Sequence, residues 1–291
     1  RRRRPTRSLI LPMKLWLTLC LGSVAALQLG GSVRPHALQL GARAPCRTSR
    51  LICGWGPDPV WTALEVGSIE DAADGLKAIT IKPADGAADE FTVPGQYVQI
   101  REPGAEKAGI FAIASSPTKA GDFEFLIKEQ PPSDWSPGTG WLTDSKAGLP
   151  LEMSQVMGPG FKVDGVLDEV DSVLLFAVGS GISPIRSVME SEVLKDKKVT
   201  LYYGAQTPDK MAYKARLDEW KALGVDVVCA VSQPEGTGWE GATGYVQDVA
   251  RAAGVPKKSA MLICGMKGMA EGVKELAADS GLDEKMVIAN F

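Results

Sequence analysis

Residues 172–184 read SVLLFAVGSGISP, and this stretch decides the fold. Seven residues, six of them apolar, form a run of strand length that would be buried on both faces. Gly179-Ser180-Gly181 then breaks the run, and Ile182-Ser183-Pro184 opens a helix. Glycines belong in such a turn if backbone N–H groups are to face a pyrophosphate with no Cβ in the way. Pro184 is tolerated in the first helical turn, where its missing N–H would have had no partner. A plain tight strand-to-helix connection uses the same residues. Working outward, a helix is expected over Pro184–Leu194 and a strand over Val199–Ala205. Helix Lys210–Leu223, strand Val225–Val231 and helix Val246–Ala253 follow. Strand Met261–Gly265, helix Gly268–Ser280 and strand Met286–Asn290 complete the alternation. This rhythm predicts a doubly wound parallel sheet of five strands in residues 166–291.

Towards the N-terminus the rhythm changes. WTALEV, LKAITI, QYVQIR, FEFLIKE and LPLEMS are short β-rich runs separated by Gly and Pro, which predicts a small antiparallel barrel in residues 58–165. Residues 1–57 hold no Asp or Glu but ten of the 32 lysines and arginines. The remainder carries 22 basic against 35 acidic residues, a net charge of −13, which disfavours nucleic acid and anionic membrane as partners. Met13, Lys14 and the apolar run Leu15–Leu29 fit a signal peptide, too short for a membrane span. Gly30–Arg50, rich in Arg, Ser and Ala, fits a transit peptide. The expectation is a cleaved leader directing the chain to a plastid, with a mitochondrion as the alternative and no membrane span in the mature body.

The only histidine, His36, lies in that leader, so the body has no His-based triad and no His-ligated zinc or haem. The five cysteines (20, 46, 53, 229 and 264) form no C-x-x-C pair, which excludes a plant-type iron–sulfur centre and argues against a disulfide scaffold. No metal site is expected.

GSGISP, YYGAQTPDKMAYKARLDEW, AVSQP, GYVQDV and CGMKGM occur in the order found in ferredoxin–NADP reductase-like proteins. The chain from Val60 to Phe291 resembles that family. The resemblance implies a flavin-type Greek-key barrel ahead of the nucleotide-type sheet. It also implies FAD or FMN as cofactor, with NAD(P)H as the electron donor. The expected function is electron transfer between NAD(P)H and an unidentified acceptor, a protein or a small molecule, through bound flavin. Gly179, Ser180, Gly181 and Pro184 would line the pyrophosphate. Cys264, Gly265 and Met266 would border the nicotinamide, with Cys264 in a catalytic position; a Cys ending a buried strand is also an ordinary core residue.

In the barrel half, Ile113-Ala114-Ser115-Ser116 matches the tail of the family's flavin motif, but its head departs. Gly109 stands where an arginine would pair the flavin phosphate, Phe111 replaces the stacking tyrosine, and Ala112 replaces a hydroxyl residue. Phe111 is still expected to stack. Gly138 and Thr139, where a helix would begin, could take the phosphate or simply cap the helix. Phe291 supplies a covering aromatic that would complete the catalytic pair with Cys264, while Ala289 replaces an acid. For the dinucleotide's adenosine end the resemblance points to Ser232 and Tyr245. Gln233 replaces an arginine and no lysine accompanies Tyr245, so NADH against NADPH stays open. The departures also leave an alternative: a degenerate reductase-like protein with weak or no flavin, acting as a redox-sensing or assembly subunit.

Overall fold

The computed structural model describes residues 57–131 and 137–290. The expected leader and Phe291 lie outside the described residues. The first half is built from β1 (Trp61–Ala73), β2 (Leu76–Ile81), α1 (Ala87–Glu90), β3 (Tyr97–Arg101), β4 (Gly109–Ala112), β5 (Phe123–Lys128), α2 (Pro137–Thr143) and β6 (Pro150–Ser154). Its strands pair antiparallel in the order β4-β3-β6-β1-β2-β5. Just beyond β4, the Ala114 N–H donates to the Glu124 carbonyl at 2.7 Å, drawing the first and last strands together and closing the barrel. Period-2 alternation sends Ile79, Ile81, Val98, Ile100, Phe125 and Leu151 into one core. The connections β2–β3 and β5–β6 bypass the nearest neighbour, as in a Greek key.

The second half comprises β7 (Ser172–Val178), α3 (Ile182–Met189), β8 (Lys198–Ala205), α4 (Leu217–Ala222), β9 (Val225–Val231), β10 (Ala242–Thr243), α5 (Val246–Ala253), β11 (Ser259–Cys264), α6 (Lys267–Asp279) and β12 (Val287–Ala289). All pairs are parallel, in the order β10-β9-β8-β7-β11-β12. The five expected strands are present; β10, two residues long, adds a sixth at the edge. Along β7, Val173, Leu175 and Ala177 enter one core and Leu174 and Phe176 the other, so the strand is buried on both faces.

Two helices differ from expectation. Residues 184–194 are helical only to Met189, after which Ser191 caps a separate 3-10 turn, Glu192–Leu194. The segment 210–223 is interrupted. Its Ala212 N–H donates to the buried Tyr203 hydroxyl at 3.0 Å instead of to a helical carbonyl, and Tyr213 adopts φ 57°. A full helix therefore starts only at Leu217. No helix among the described residues is long and apolar enough to cross a membrane.

Candidate functional site

The chain leaves β7 for β8 and β9 on one side, then returns to place β11 on the other, so the sheet has its switch point between β7 and β11. Open parallel sheets bind ligands at the carboxyl ends of such strands. Here a cleft of ≈ 1310 Å³ opens at that point, with the barrel as its opposite wall. The sheet side contributes the Gly179–Gly181 turn, Pro184, Cys264, Gly265 and Met266; the barrel side contributes Ile110, Phe111, Ala112 and Thr139. Ser232 and Tyr245 line the same space at the ends of β9 and β10.

The two glycines of the turn differ. Gly179 holds φ +57° and has open space where a Cβ would be, as a backbone approached by a ligand requires. A Cβ on Gly181 would lie 2.2 Å from the Cys264 carbonyl oxygen. That glycine is demanded by contact between the turn and β11, before any pyrophosphate is considered.

Helix α3, which starts at this turn, is fastened to the barrel. The Ser183 hydroxyl donates to the Ala112 carbonyl at 3.2 Å and the Ser187 hydroxyl to the Ser115 carbonyl at 2.8 Å. Arg186, fully buried, donates through Nη1 to Glu124 Oε2 at 2.6 Å and through Nε to Glu190 Oε1 at 2.8 Å. Its guanidinium carbon lies 5.0 Å from the Tyr213 ring centre. Burial pushes the Glu124 carboxyl up, but the hydrogen bond and charge of Arg186 outweigh it and hold Glu124 below its ordinary value. One helix thus carries the turn and fixes the barrel wall opposite it.

The sequence reading placed Ile113, Ala114, Ser115 and Ser116 on the flavin, but they do not line the cleft. Ile113 and Ala114 are buried. Ser115 Oγ accepts from the Glu124 N–H at 3.3 Å, and Ser116 Oγ accepts from the Thr118 N–H at 3.2 Å, so both hydroxyls serve the strand closure and a turn. Phe111 borders the cleft but is only 8% exposed, because its ring lies over Gly109: a Cβ there would be 2.5 Å from the ring. The expected open stacking face is therefore mostly covered. Gly138 packs on strand backbone, since its Cβ would meet Gly109 N at 2.7 Å. The Phe111 ring occupies the place where an arginine side chain at position 109 would begin.

Cys264 ends β11 facing the turn. Burial pushes its thiol up to about 12, so at neutral pH it is an uncharged, soft surface rather than a thiolate. Asn290 follows β12 and donates to the Gly95 carbonyl at 2.9 Å, tying the far edge of the sheet to the barrel. The sequence reading missed Arg186, Glu124 and the tie that Asn290 makes to the barrel. Arg186 was visible as a lone cation inside the apolar helix ISPIRSVM; Asn290 carries no comparable pattern.

A family model described as "Oxidoreductase NAD-binding domain" matches residues 175–275, the segment that builds the turn, β8 to β11 and most of α6. "Fruit protein pKIWI502" of Actinidia deliciosa is 31% identical over 247 residues, covering 79% of this chain and 76% of its own length. The protein is a ferredoxin–NADP reductase-like oxidoreductase. In the same family, "Ferredoxin--NAD(P)(+) reductase CarAd" of Metapseudomonas resinovorans is 29% identical over 196 residues, covering 65% of this chain and 55% of its own. The chain thus spans about half the length of that relative. A ferredoxin NADP+ reductase from Neisseria gonorrhoeae, solved with bound FAD and NADP, shares the fold. It has TM-score 0.67 and 13% identity, covering 79% of this chain and 99% of its own.

Proposed function

We infer that this reductase-like protein binds NAD(P)H at the sheet side of the cleft and a flavin, FAD or FMN, along the barrel side. Electrons from NAD(P)H would leave to a separate acceptor, a protein or a small molecule. One observation carries the reading: the Gly179–Gly181 turn, the Cys264–Met266 segment and the barrel wall Ile110–Ala112 share one cleft. The apolar surface of Ile110, Ala112, Leu126 and Ile127 suits a planar ring, while Gly109 brings no cation to its phosphate. When bound, a flavin supplies the group that takes a hydride and passes electrons on singly or in pairs.

The chain's own residues then have three tasks. The turn and the start of α3 present N–H groups to the dinucleotide's pyrophosphate. Neutral Cys264 and flexible Met266, 63% exposed, provide an uncharged wall for the nicotinamide. The α3–barrel fastening keeps the two walls of the cleft in register, which would orient the groups bound between them. The acid-free, basic composition of residues 1–57 supports a plastid location, and a fluorescent fusion of that segment tests it.

The test of function is a flavin titration of the purified protein followed by anaerobic addition of NADH or NADPH. The expected outcome is quenched flavin fluorescence, then bleaching of the flavin absorbance. Absence of quenching at tens of micromolar FAD and FMN would leave a dinucleotide-binding subunit without its redox group.

A further inference from the structure

The carboxyl ends of β8 and β9 form the far end of the cleft, where a parallel sheet meets the adenosine ribose. Gln206 directly follows β8, and Gln233 lies just beyond β9. The Gln233 N–H donates to the Gln206 carbonyl at 2.8 Å, and Gln206 Nε2 donates to Gln233 Oε1 at 2.8 Å. The two amides are therefore a matched pair lining the cleft. Lys210 donates from Nζ to Gln206 Oε1 at 3.0 Å and lies 3.8 Å from Asp74 Oδ2. Asp74 comes from the barrel, at the β1–β2 hairpin. Its N–H donates to the Asp209 carbonyl at 2.9 Å, which pins the hairpin to this end of the sheet.

We propose that this Gln206–Gln233 pair, with Asp74 facing it from the barrel, makes the protein select NADH and reject NADPH. The inference rests on the dinucleotide reading above. A ribose 2′-hydroxyl both donates and accepts, as an amide does, so the pair satisfies it without any charge. A 2′-phosphate brings roughly two further negative charges and needs cations, preferably a forked guanidinium. Among the described residues lining the cleft, the charged ones are Asp74, Glu129, Lys128 and Lys210, which sum to zero. Lys210 is already engaged by Gln206 and Asp74. Lys128 lies on β5, next to Glu129 and in register with Leu76, two residues from Asp74. No surplus positive charge meets the added phosphate, and the Asp74 carboxylate opposes it.

Calorimetric titration of the full chain with NAD+ and with NADP+ tests this, alongside kcat/KM for NADH and NADPH with ferricyanide as acceptor. NAD+ should bind at least about tenfold more tightly, the equivalent of one charge-assisted contact. Gln233→Arg should raise NADP+ affinity about tenfold and lower NAD+ affinity about fivefold, because the paired amide that meets the 2′-hydroxyl is lost. That gain should shrink as salt rises from about 50 to about 500 mM, as a screened charge contact does. Asp74→Asn should raise NADP+ affinity by a smaller factor, about threefold, with NAD+ unchanged. Gln233 and Asp74 are both exposed, so these variants should fold normally. NADP+ binding as tightly as NAD+ to the native protein, or no gain in Gln233→Arg, overturns the proposal. Failure of both dinucleotides to bind overturns instead the assignment of the cleft to a dinucleotide.

Discussion

At position 181 an added side chain would strike protein backbone, whereas at position 179 it would enter open space but force a left-handed residue. The two substitutions should therefore fail differently. Gly181→Val should lower stability by about 3 kcal/mol, the upper range of overpacking, because the clash is with the rigid end of β11. Gly179→Ala should cost only about 1 kcal/mol in stability and weaken dinucleotide binding about tenfold, a loss of about 1.4 kcal/mol. Urea midpoints and calorimetric titration separate the two effects. A Gly181→Val protein of native stability, or a Gly179→Ala protein of native affinity, would refute the division of labour. Both glycines were visible in the sequence as a phosphate-type turn. Which of them meets protein rather than ligand was not, because it depends on β11, about eighty residues downstream. Gly109 repeats the lesson. Its missing side chain was legible, but the Phe111 ring filling the vacancy was not.

Among the elements, α3 shows why the barrel wall stays opposite the turn. Its Ser183, Arg186 and Ser187 all reach barrel residues, with Glu124 as the charged partner. Glu124 is held below its ordinary carboxyl value, so its contribution is complete above about pH 4.5 and is lost as pH falls through the lowered folded value. Glu124→Gln should cost about 2 kcal/mol at pH 7, since a hydrogen bond to a charged group is removed. The variant should then lose less stability than the native protein between about pH 5 and about pH 3. Urea midpoints across that range are the measurement, and superimposable acid profiles would disprove the role. Strand periodicity made the long β elements legible, and the alternation of strand and helix made the sheet legible. The break at Met211–Tyr213 was hidden, because it is imposed by the Tyr203 hydroxyl beneath it rather than by local propensity. The strands β4 and β10, four and two residues long, are too short to show a period.

For the whole molecule, links among the described residues that join the barrel to the sheet include the α3 contacts, Asp74 to Asp209, and Asn290 to Gly95. The two halves should therefore unfold together. A dinucleotide at 100 times its Kd adds about 2.7 kcal/mol to the folded state, and for a body of this size that raises Tm by about 5–10 °C. Calorimetry should show one transition moving as a unit. Two transitions of which only one moves would mean that the halves melt independently.

The bond from Asn290 to Gly95 spans 195 positions of the chain. During synthesis at about 5–20 residues per second, Asn290 emerges on the order of ten to forty seconds after Gly95. Through that interval the barrel waits with one wall of its cleft unfinished, and the nascent chain presents its apolar cleft surface to whatever is nearby. A nascent chain halted before residue 290 should therefore aggregate more readily than the finished one.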